Sequence, residues 1–221
     1  MIARRPQVGW AASATIAIGF AIVILPILTA DRWIAALGGA HVVAGEVAPL
    51  TVRVPPFAGI ETPDAGRIGG GGGVVIARGD LATRDDEFKV AELTAIAPSS
   101  TSTYIAMFLL AALLAGLFSL RARSSPLGRL VRVQLVNLAL VAVLAAVVKV
   151  AMLMTPANVL IVPVALLGLL PTLVLDRRVG VAVGTLTALV VALCVPFDLG
   201  IAVLLVLQGA AAGYAIGERP K

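Results

Sequence analysis

The sequence predicts an all-α membrane protein: a bundle of about six transmembrane helices with a small extracytoplasmic α+β insertion after the first helix. Apolar residues make up 60% of the chain and charged residues only 13%. A soluble domain averages about 25% charged residues. The chain also contains six apolar segments with Lys149 as the single charged residue among them, and each segment is close to the roughly 20 residues that cross a bilayer. These segments lie at 10–30, 103–120, 134–155, 157–175, 179–195 and 199–217.

The first apolar segment, residues 10–30, follows a short basic N-terminal stretch, 1–9, which contains Arg4 and Arg5. A basic start, an apolar run and the small residue Ala30 also fit a cleaved signal peptide. The run is long for a signal peptide, so we favour an uncleaved first membrane helix.

Residues 31–102 differ in composition and predict a small extracytoplasmic domain. They hold nine of the twelve acidic residues and the glycine run Gly69–Gly73. The first half, interrupted by prolines, is expected to be extended. Residues 73–79 (GVVIARG) predict a strand that ends at a glycine turn. Thr83 then predicts a helix N-cap, followed by three acidic residues that favour a helix to about Thr94.

The distribution of basic residues predicts the orientation. With the N-terminus in the cytoplasm, ten of the seventeen basic residues lie on cytoplasmic segments, and the acidic residues there are Asp176 and Glu218. This asymmetry follows the positive-inside rule. We therefore expect a multi-pass protein of the bacterial inner membrane, with a five-helix bundle at 103–217 and both ends, 1–9 and 218–221, in the cytoplasm.

Small and proline residues predict how the later helices pack. Glycines allow two helices to approach closely, and five of them lie in the last three segments: Gly168, Gly180, Gly184, Gly209 and Gly213. Pro163 and Pro171 are expected to bend the fourth segment.

Three polar residues inside the apolar segments form the candidate intramembrane site: Lys149, Asn137 and Gln208. An ionisable residue in a membrane helix suggests a proton relay or an anion site. Lys149, however, is six residues from Thr155 and no acid lies inside an apolar segment with it, so we favour a side chain that reaches to water. Asn137 and Gln208 are expected to bond between helices.

The residue inventory argues against an enzyme, a metal site and a cofactor. A zinc site needs three or four converging ligands, and the chain has one cysteine, Cys194, and one histidine, His41. A catalytic triad cannot be built around His41, which has no adjacent nucleophile. The glycines at 69–73 lack the Lys-Ser/Thr ending of a phosphate-binding loop. The basic residues do not interleave with aromatic ones, so we expect no nucleic-acid binding.

Three stretches resemble the membrane half of the bacterial seven-transmembrane receptors with an intracellular HD hydrolase, a group that includes cyclic di-AMP phosphodiesterases. The first is 43–49 (VAGEVAP), similar to the entry to that family's extracellular domain. The second is 74–83 (VVIARGDLAT), similar to its strand and helix start. The third begins at 160–165 (LIVPVA) and continues through Arg178 to the small-residue run 209–213.

The resemblance covers about residues 41–217, with three departures. The extracellular domain is much shorter than the family's, at least one membrane helix is missing, and the HD domain is absent. The chain contains no His-Asp dipeptide, so none of the family's catalytic residues has a position here. The resemblance therefore implies a receptor-like protein without an activity of its own.

The favoured function is a membrane sensor or signal-transmission protein. Its partners would be the lipid bilayer and a cytoplasmic signalling protein or HD hydrolase, and its second membrane segment would carry the signal to the arginine-rich loop that follows. The alternative is a small transporter or a substrate-binding membrane subunit, which needs Lys149, Asn137 and Gln208 to face one cavity. A scaffold for envelope assembly also fits the composition.

Overall fold

Long apolar helices dominate the computed structural model, which describes residues 9–36, 41–53, 74–96, 101–156, 164–194 and 199–215. The glycine run at 69–73 and Pro163 lie outside these residues. The elements are α1 (Trp10–Leu28), α2 (Ala30–Ala36), β1 (Val52–Arg53), β2 (Val74–Ile76), α3 (Arg84–Ile96), α4 (Thr101–Ala122), α5 (Val131–Met154), α6 (Val164–Val174), α7 (Arg177–Cys194) and α8 (Leu199–Ala215).

Four of these helices, α1, α4, α5 and α7, are long and apolar enough to cross a membrane. The helix α8 is apolar but shorter, and the described part of α6 has 11 residues. The multi-pass character predicted from the sequence is thus confirmed for four helices. The count of six spans stays a prediction.

Helix α7 occupies the centre of the bundle. Twelve of its 18 residues are buried, and it contacts α4 and α5 on one side and α6 and α8 on the other. Helix α1 packs against α4 and α5, where Phe20, Ala21 and Ile24 are buried. The first helix is thus part of the bundle, and its retention as an uncleaved anchor stays a prediction.

Helices α6, α7 and α8 meet at three glycines. A Cβ on Gly184 would lie 2.6 Å from the carbonyl oxygen of Gly209, and a Cβ on Gly168 would lie 2.7 Å from the same oxygen. A Cβ on Gly180 would overlap Thr172. The predicted close approach is confirmed at these four glycines, while the surroundings of Gly213 lie outside the described part.

Proline 171 lies inside α6, which continues to Val174. Proline removes one helix hydrogen bond. The Thr172 hydroxyl one residue later donates to the carbonyl of Gly168 at 2.8 Å. The expected bend stays a prediction.

The segment between α2 and α4 contains a two-stranded antiparallel sheet and a helix. Val52 pairs with Ile76, and the chain leaves β2 through a turn at Gly79, whose φ of +94° favours glycine. The backbone N–H of Asp86 donates to the Thr83 hydroxyl at 3.3 Å, which caps α3. In return the carboxylate of Asp86 accepts from the Thr83 hydroxyl at 2.6 Å and from the Thr83 backbone N–H at 3.0 Å. The predicted strand and capped helix are confirmed, and the helix extends to Ile96.

Candidate functional site

Polar contacts within the bundle concentrate at the two ends of α5. The C-terminal end carries Lys149, whose ammonium lies 3.0 Å from the carboxylate of Asp31 and donates to the backbone carbonyl of Cys194 at 3.1 Å. The carbonyls in the last turn of a helix have no partner within it, and Cys194 is the last residue of α7. Lys149 thus joins α5 to the end of α7 and to the α1–α2 junction.

The surroundings of Lys149 include a partner that the sequence analysis does not predict. Its side chain is only 9% exposed, and an acid does accompany it. Asp31 follows the first apolar segment directly, and α2 places its carboxylate beside α5. The lysine side chain reaches the end of the bundle, as proposed, yet its charge meets a carboxylate that is 53% exposed and not open water.

The small domain also contacts the C-terminal end of α5. The backbone N–H of Thr51 donates to the carbonyl of Leu153 at 2.9 Å. The guanidinium of Arg53 donates to the carbonyl of Thr155 at 3.1 Å. Both acceptors are at the end of a helix, where such carbonyls need a partner from elsewhere. The strand β1 is therefore attached to the membrane bundle through α5.

Two arginines of the small domain, Arg53 and Arg78, strengthen this attachment. Arg78 approaches the sulfur of Met154 at 2.9 Å, and its backbone N–H donates to the Thr51 hydroxyl at 3.2 Å. Burial lowers the pKa of the Arg53 guanidinium, which nonetheless stays charged because arginine begins from so high a value. We expected the second membrane segment, here α4, to receive a signal from this domain. The hydrogen bonds described above lead to α5 instead.

A buried network occupies the N-terminal end of α5. The Ser119 hydroxyl donates to the amide oxygen of Gln134 at 2.7 Å and lies 2.9 Å from the hydroxyl of Ser13. The amide nitrogen of Gln134 donates to the carbonyl of Gly128 at 2.8 Å. Since Ser119 has one proton and gives it to an oxygen that can only accept, Ser13 must donate to Ser119. We call Ser13, Ser119 and Gln134 the serine–glutamine network; it joins α1, α4 and α5.

The loop between α4 and α5 lies at the same end and is rich in arginine. The guanidinium of Arg123 lies 5.1 Å from the ring centre of Trp10, and that of Arg177 lies 4.3 Å from the ring centre of Tyr214. Arg178 donates to the carbonyl of Ser124 at 3.2 Å, which ties the loop to the start of α7. We call the six described arginines of this end the arginine face: Arg121, Arg123, Arg129, Arg132, Arg177 and Arg178.

The three residues of the predicted intramembrane site do not come together. Asn137 is buried and donates to the carbonyl of Val133 in its own helix at 2.8 Å. Twelve residues separate it from Lys149, or about 18 Å along α5. Gln208 is exposed on α8. Sequence analysis missed the serine–glutamine network, although polar residues near the basic end of three apolar segments were its visible signal.

The described residues offer little else for chemistry. They contain no group of three or more His, Cys, Asp or Glu residues that could hold a metal ion. A groove of about 430 Å³ runs between α1 and α5, and Thr15 is the polar residue of its lining. The other lining residues are Ile16, Gly19, Phe20, Val23, Leu135, Leu138, Ala139 and Ala142. Such a lining suits hydrocarbon and lacks the convergent polar groups of a substrate site.

Comparison with protein families gives one match. Residues 99–219 match the model of the 7TM receptor with intracellular HD hydrolase, which spans α4 to α8 and more than half of the chain. Comparison with curated proteins and with solved structures gives no match. The match agrees with the resemblance seen in the sequence and with four apolar helices of membrane-spanning length. The chain is thus a multi-pass, receptor-like membrane protein that belongs to the family of 7TM receptors with intracellular HD hydrolase.

Proposed function

We propose that this protein transmits a signal across the bacterial inner membrane without a catalytic activity of its own. In this proposal residues 31–102 are extracytoplasmic, and both termini and the arginine face are in the cytoplasm. The observation that carries the proposal is the attachment of β1 to the C-terminal end of α5, through the bond from Thr51 to Leu153.

Helix α5 is suited to connect the two sides. It has 24 residues, or a length of about 36 Å, enough to cross the hydrocarbon core. One end bears the small domain and the Lys149–Asp31 pair, and the other bears Gln134 and leads back to the arginine-rich loop. A packed helix with polar contacts at each end can change between discrete arrangements. A displacement outside would thus alter the loop inside.

A structural change in the loop between α4 and α5 acts as a signal only when a partner protein responds to it. The family match supports an HD hydrolase, or another cytoplasmic signalling protein, as that partner. The arginine-rich loop between α4 and α5 is the part of the described structure that such a partner would contact. The remaining partner is the lipid bilayer itself.

Cysteine labelling tests the orientation. In a Cys194→Ala background, we expect Asp80→Cys to react with a membrane-impermeant maleimide added to intact spheroplasts. Ser124→Cys should react only after the membrane is opened. Both positions are exposed in the folded chain, so access depends on the side of the membrane. The reverse pattern would contradict the proposal.

A substitution at the contact between Thr51 and Leu153 tests whether a signal is transmitted through α5. Thr51→Pro removes the N–H that bonds to Leu153, whereas Thr51→Ser keeps both that N–H and the hydroxyl. We expect Thr51→Pro to change the labelling rate of Ser124→Cys about fivefold, the lower range of allosteric coupling, and Thr51→Ser to leave it unchanged. Thermal unfolding of both variants checks that the bundle remains folded. An unchanged rate in a folded Thr51→Pro protein would refute transmission through α5.

The alternative of a small transporter needs Lys149, Asn137 and Gln208 to line one cavity. Asn137 bonds within its own helix, Lys149 donates to the carbonyl of Cys194, and Gln208 is exposed, which lends this alternative less support. Signal transmission is the better supported function.

A further inference from the structure

Gln208 is a polar residue on the outer surface of the bundle. It belongs to α8, which packs against α7 and α6, and the exposed residues of this helix include Leu204, Gln208 and Ala211. Because these three positions are spaced by four and three residues, they lie on one face of α8. The outer face of α8 therefore carries an amide between two apolar side chains.

The contact between α7 and α8 fixes the depth of this amide. A Cβ on Gly209 would lie 2.6 Å from the carbonyl oxygen of Gly184, so the two helices touch at these glycines. Gly184 is near the middle of α7, which is long and apolar enough to cross a membrane. Gln208 precedes Gly209 and is therefore close to the middle of the bilayer, about 10 Å or more from either end of α8. Its side chain is too short to reach the lipid headgroups.

The amide of Gln208 has no hydrogen-bond partner within the part of the chain that the structure describes. Asn137, the other amide of the predicted intramembrane site, differs in this respect, because it donates to the carbonyl of Val133 at 2.8 Å. A polar group without a partner is unfavourable in hydrocarbon, where water cannot replace the missing bond. The bond between helices that the sequence predicts for Gln208 therefore needs a helix from another molecule.

We propose that the outer face of α8 is a homodimer interface within the membrane, where Gln208 bonds to Gln208 of the partner subunit. An amide has both donors and an acceptor, so it can pair with an identical group across a two-fold axis. Ala211, on the same face, is small and allows the two helix backbones to approach. Lipid tails offer no donor or acceptor at this depth, so a second copy fits the amide better than lipid does. The proposal requires α8 to lie in the bilayer and is independent of the direction of signalling.

Energy transfer between copies of the full chain tests the dimer. The protein is labelled at Asp80→Cys in a Cys194→Ala background, with donor or acceptor dye, and reconstituted in phosphatidylcholine vesicles at a series of protein-to-lipid ratios. We expect Gln208→Leu to raise the dissociation constant about fivefold or more, as for the loss of hydrogen bonds between membrane helices. Because Gln208 is exposed, this variant should unfold at the wild-type temperature.

Cysteine cross-linking in the membrane identifies the surface that makes the contact. Leu204 of α8 and Val143 of α5 are 55% and 63% exposed, and both are apolar residues in the interior of a helix. Leu204→Cys and Val143→Cys, each in the Cys194→Ala background, are therefore a matched pair. We expect an oxidant to join two copies through Leu204→Cys and not through Val143→Cys, and Gln208→Leu to reduce the yield of the first product.

Three results would overturn the proposal. Equal cross-linking at the two positions would mean that the contact between copies is not specific to α8. Wild-type protein that stayed monomeric at every protein-to-lipid ratio would leave a different membrane protein as the partner of the amide. Association of Gln208→Leu as tight as that of the wild type would mean that the amide takes no part in the contact.

Discussion

The two sides of the bundle are held together by different means, and α7 belongs to both. On the side of α6 and α8, the helices meet where side chains are missing, at Gly168, Gly184 and Gly209. On the side of α1, α4 and α5, buried side chains such as Ser119 and Gln134 make the connections. Glycine contacts depend on one close backbone approach, whereas hydrogen-bonded side chains can exchange partners. The second side is therefore where we expect a signal to change the structure.

The largest effect is expected at the glycine side, from Gly184→Leu. Its side chain would begin 2.6 Å from the carbonyl oxygen of Gly209, and neither helix backbone can move away without losing its other contacts. Overpacking typically costs about 1–3 kcal/mol and occasionally more, and here backbone is the group in the way, so we expect a marked loss of folded protein. The measurement is the yield and thermal stability in detergent.

Gly116→Leu on α4 is the control for this substitution. A Cβ there has nothing within 4 Å, so its leucine should be accommodated with stability close to that of the wild type. A folded Gly184→Leu protein of normal stability would show that the glycine side can adjust, and the contrast between the two sides would disappear.

The second-largest effect is expected for the Lys149–Asp31 pair at the C-terminal end of α5. Asp31→Asn removes the negative charge beside the buried ammonium of Lys149 and leaves it neutral acceptors, an amide oxygen and the Cys194 carbonyl. An incompletely satisfied buried charge costs about 1–3 kcal/mol. Lys149→Met leaves instead a carboxylate that is 53% exposed and can be hydrated. We therefore expect Asp31→Asn to destabilise the protein more than Lys149→Met does.

The native thiol of Cys194 reports on this end of the bundle. It is 2% exposed in the folded protein, so thiol reagents should label it slowly. Asp31→Asn should accelerate the labelling if the pair holds α5 against α7. Equal stability of the two variants, with unchanged labelling, would mean that the pair contributes nothing to this contact.

The sequence predicted the side of the bundle that depends on glycine better than the side that depends on polar side chains. The close approach of helices at four glycines could be predicted, because small residues inside apolar segments are typical of contacts between membrane helices. These are Gly168, Gly180, Gly184 and Gly209. The Lys149–Asp31 pair could not be predicted, because its partners are 118 positions apart in the chain and Asp31 lies outside the apolar segments. Single polar residues such as Ser13 reveal their partners only once three helices are placed together.

A smaller effect is expected within the serine–glutamine network. Ser119→Ala and Gln134→Ala each remove one partner of the 2.7 Å hydrogen bond. With the double variant they form a double-mutant cycle, which measures the coupling energy between the two side chains. Hydrogen bonds between membrane helices have coupling energies of about 0.6 kcal/mol on average and up to about 1.7. We expect a value in the upper half of that range because both side chains are fully buried.

The cycle is measured by unfolding in mixed detergent micelles, with Thr15→Ala as its control. The Thr15 hydroxyl donates only within its own helix, to the carbonyl of Ala11 at 3.0 Å, so its cycle with Gln134→Ala should give no coupling. Coupling of the same size in both cycles would mean that the network is not a specific connection between helices.

The smallest effect lies outside the bundle, at the cap of α3. The hydrogen bond from the Thr83 hydroxyl, with the bond from its backbone N–H, lowers the pKa of Asp86. A carboxyl with a lowered pKa in the folded state stabilises that state at neutral pH, and the contribution is lost as pH falls from the ordinary aspartate range through the lower folded value. We expect lower hydrogen-exchange protection of α3 amides over that interval. Asp86→Asn should abolish this pH dependence, whereas Asp85→Asn, which alters the neighbouring pair with Lys89, should retain it. A pH dependence that persisted in Asp86→Asn would place its origin elsewhere in the small domain, and would separate the stability of α3 from the attachment of β1 to α5.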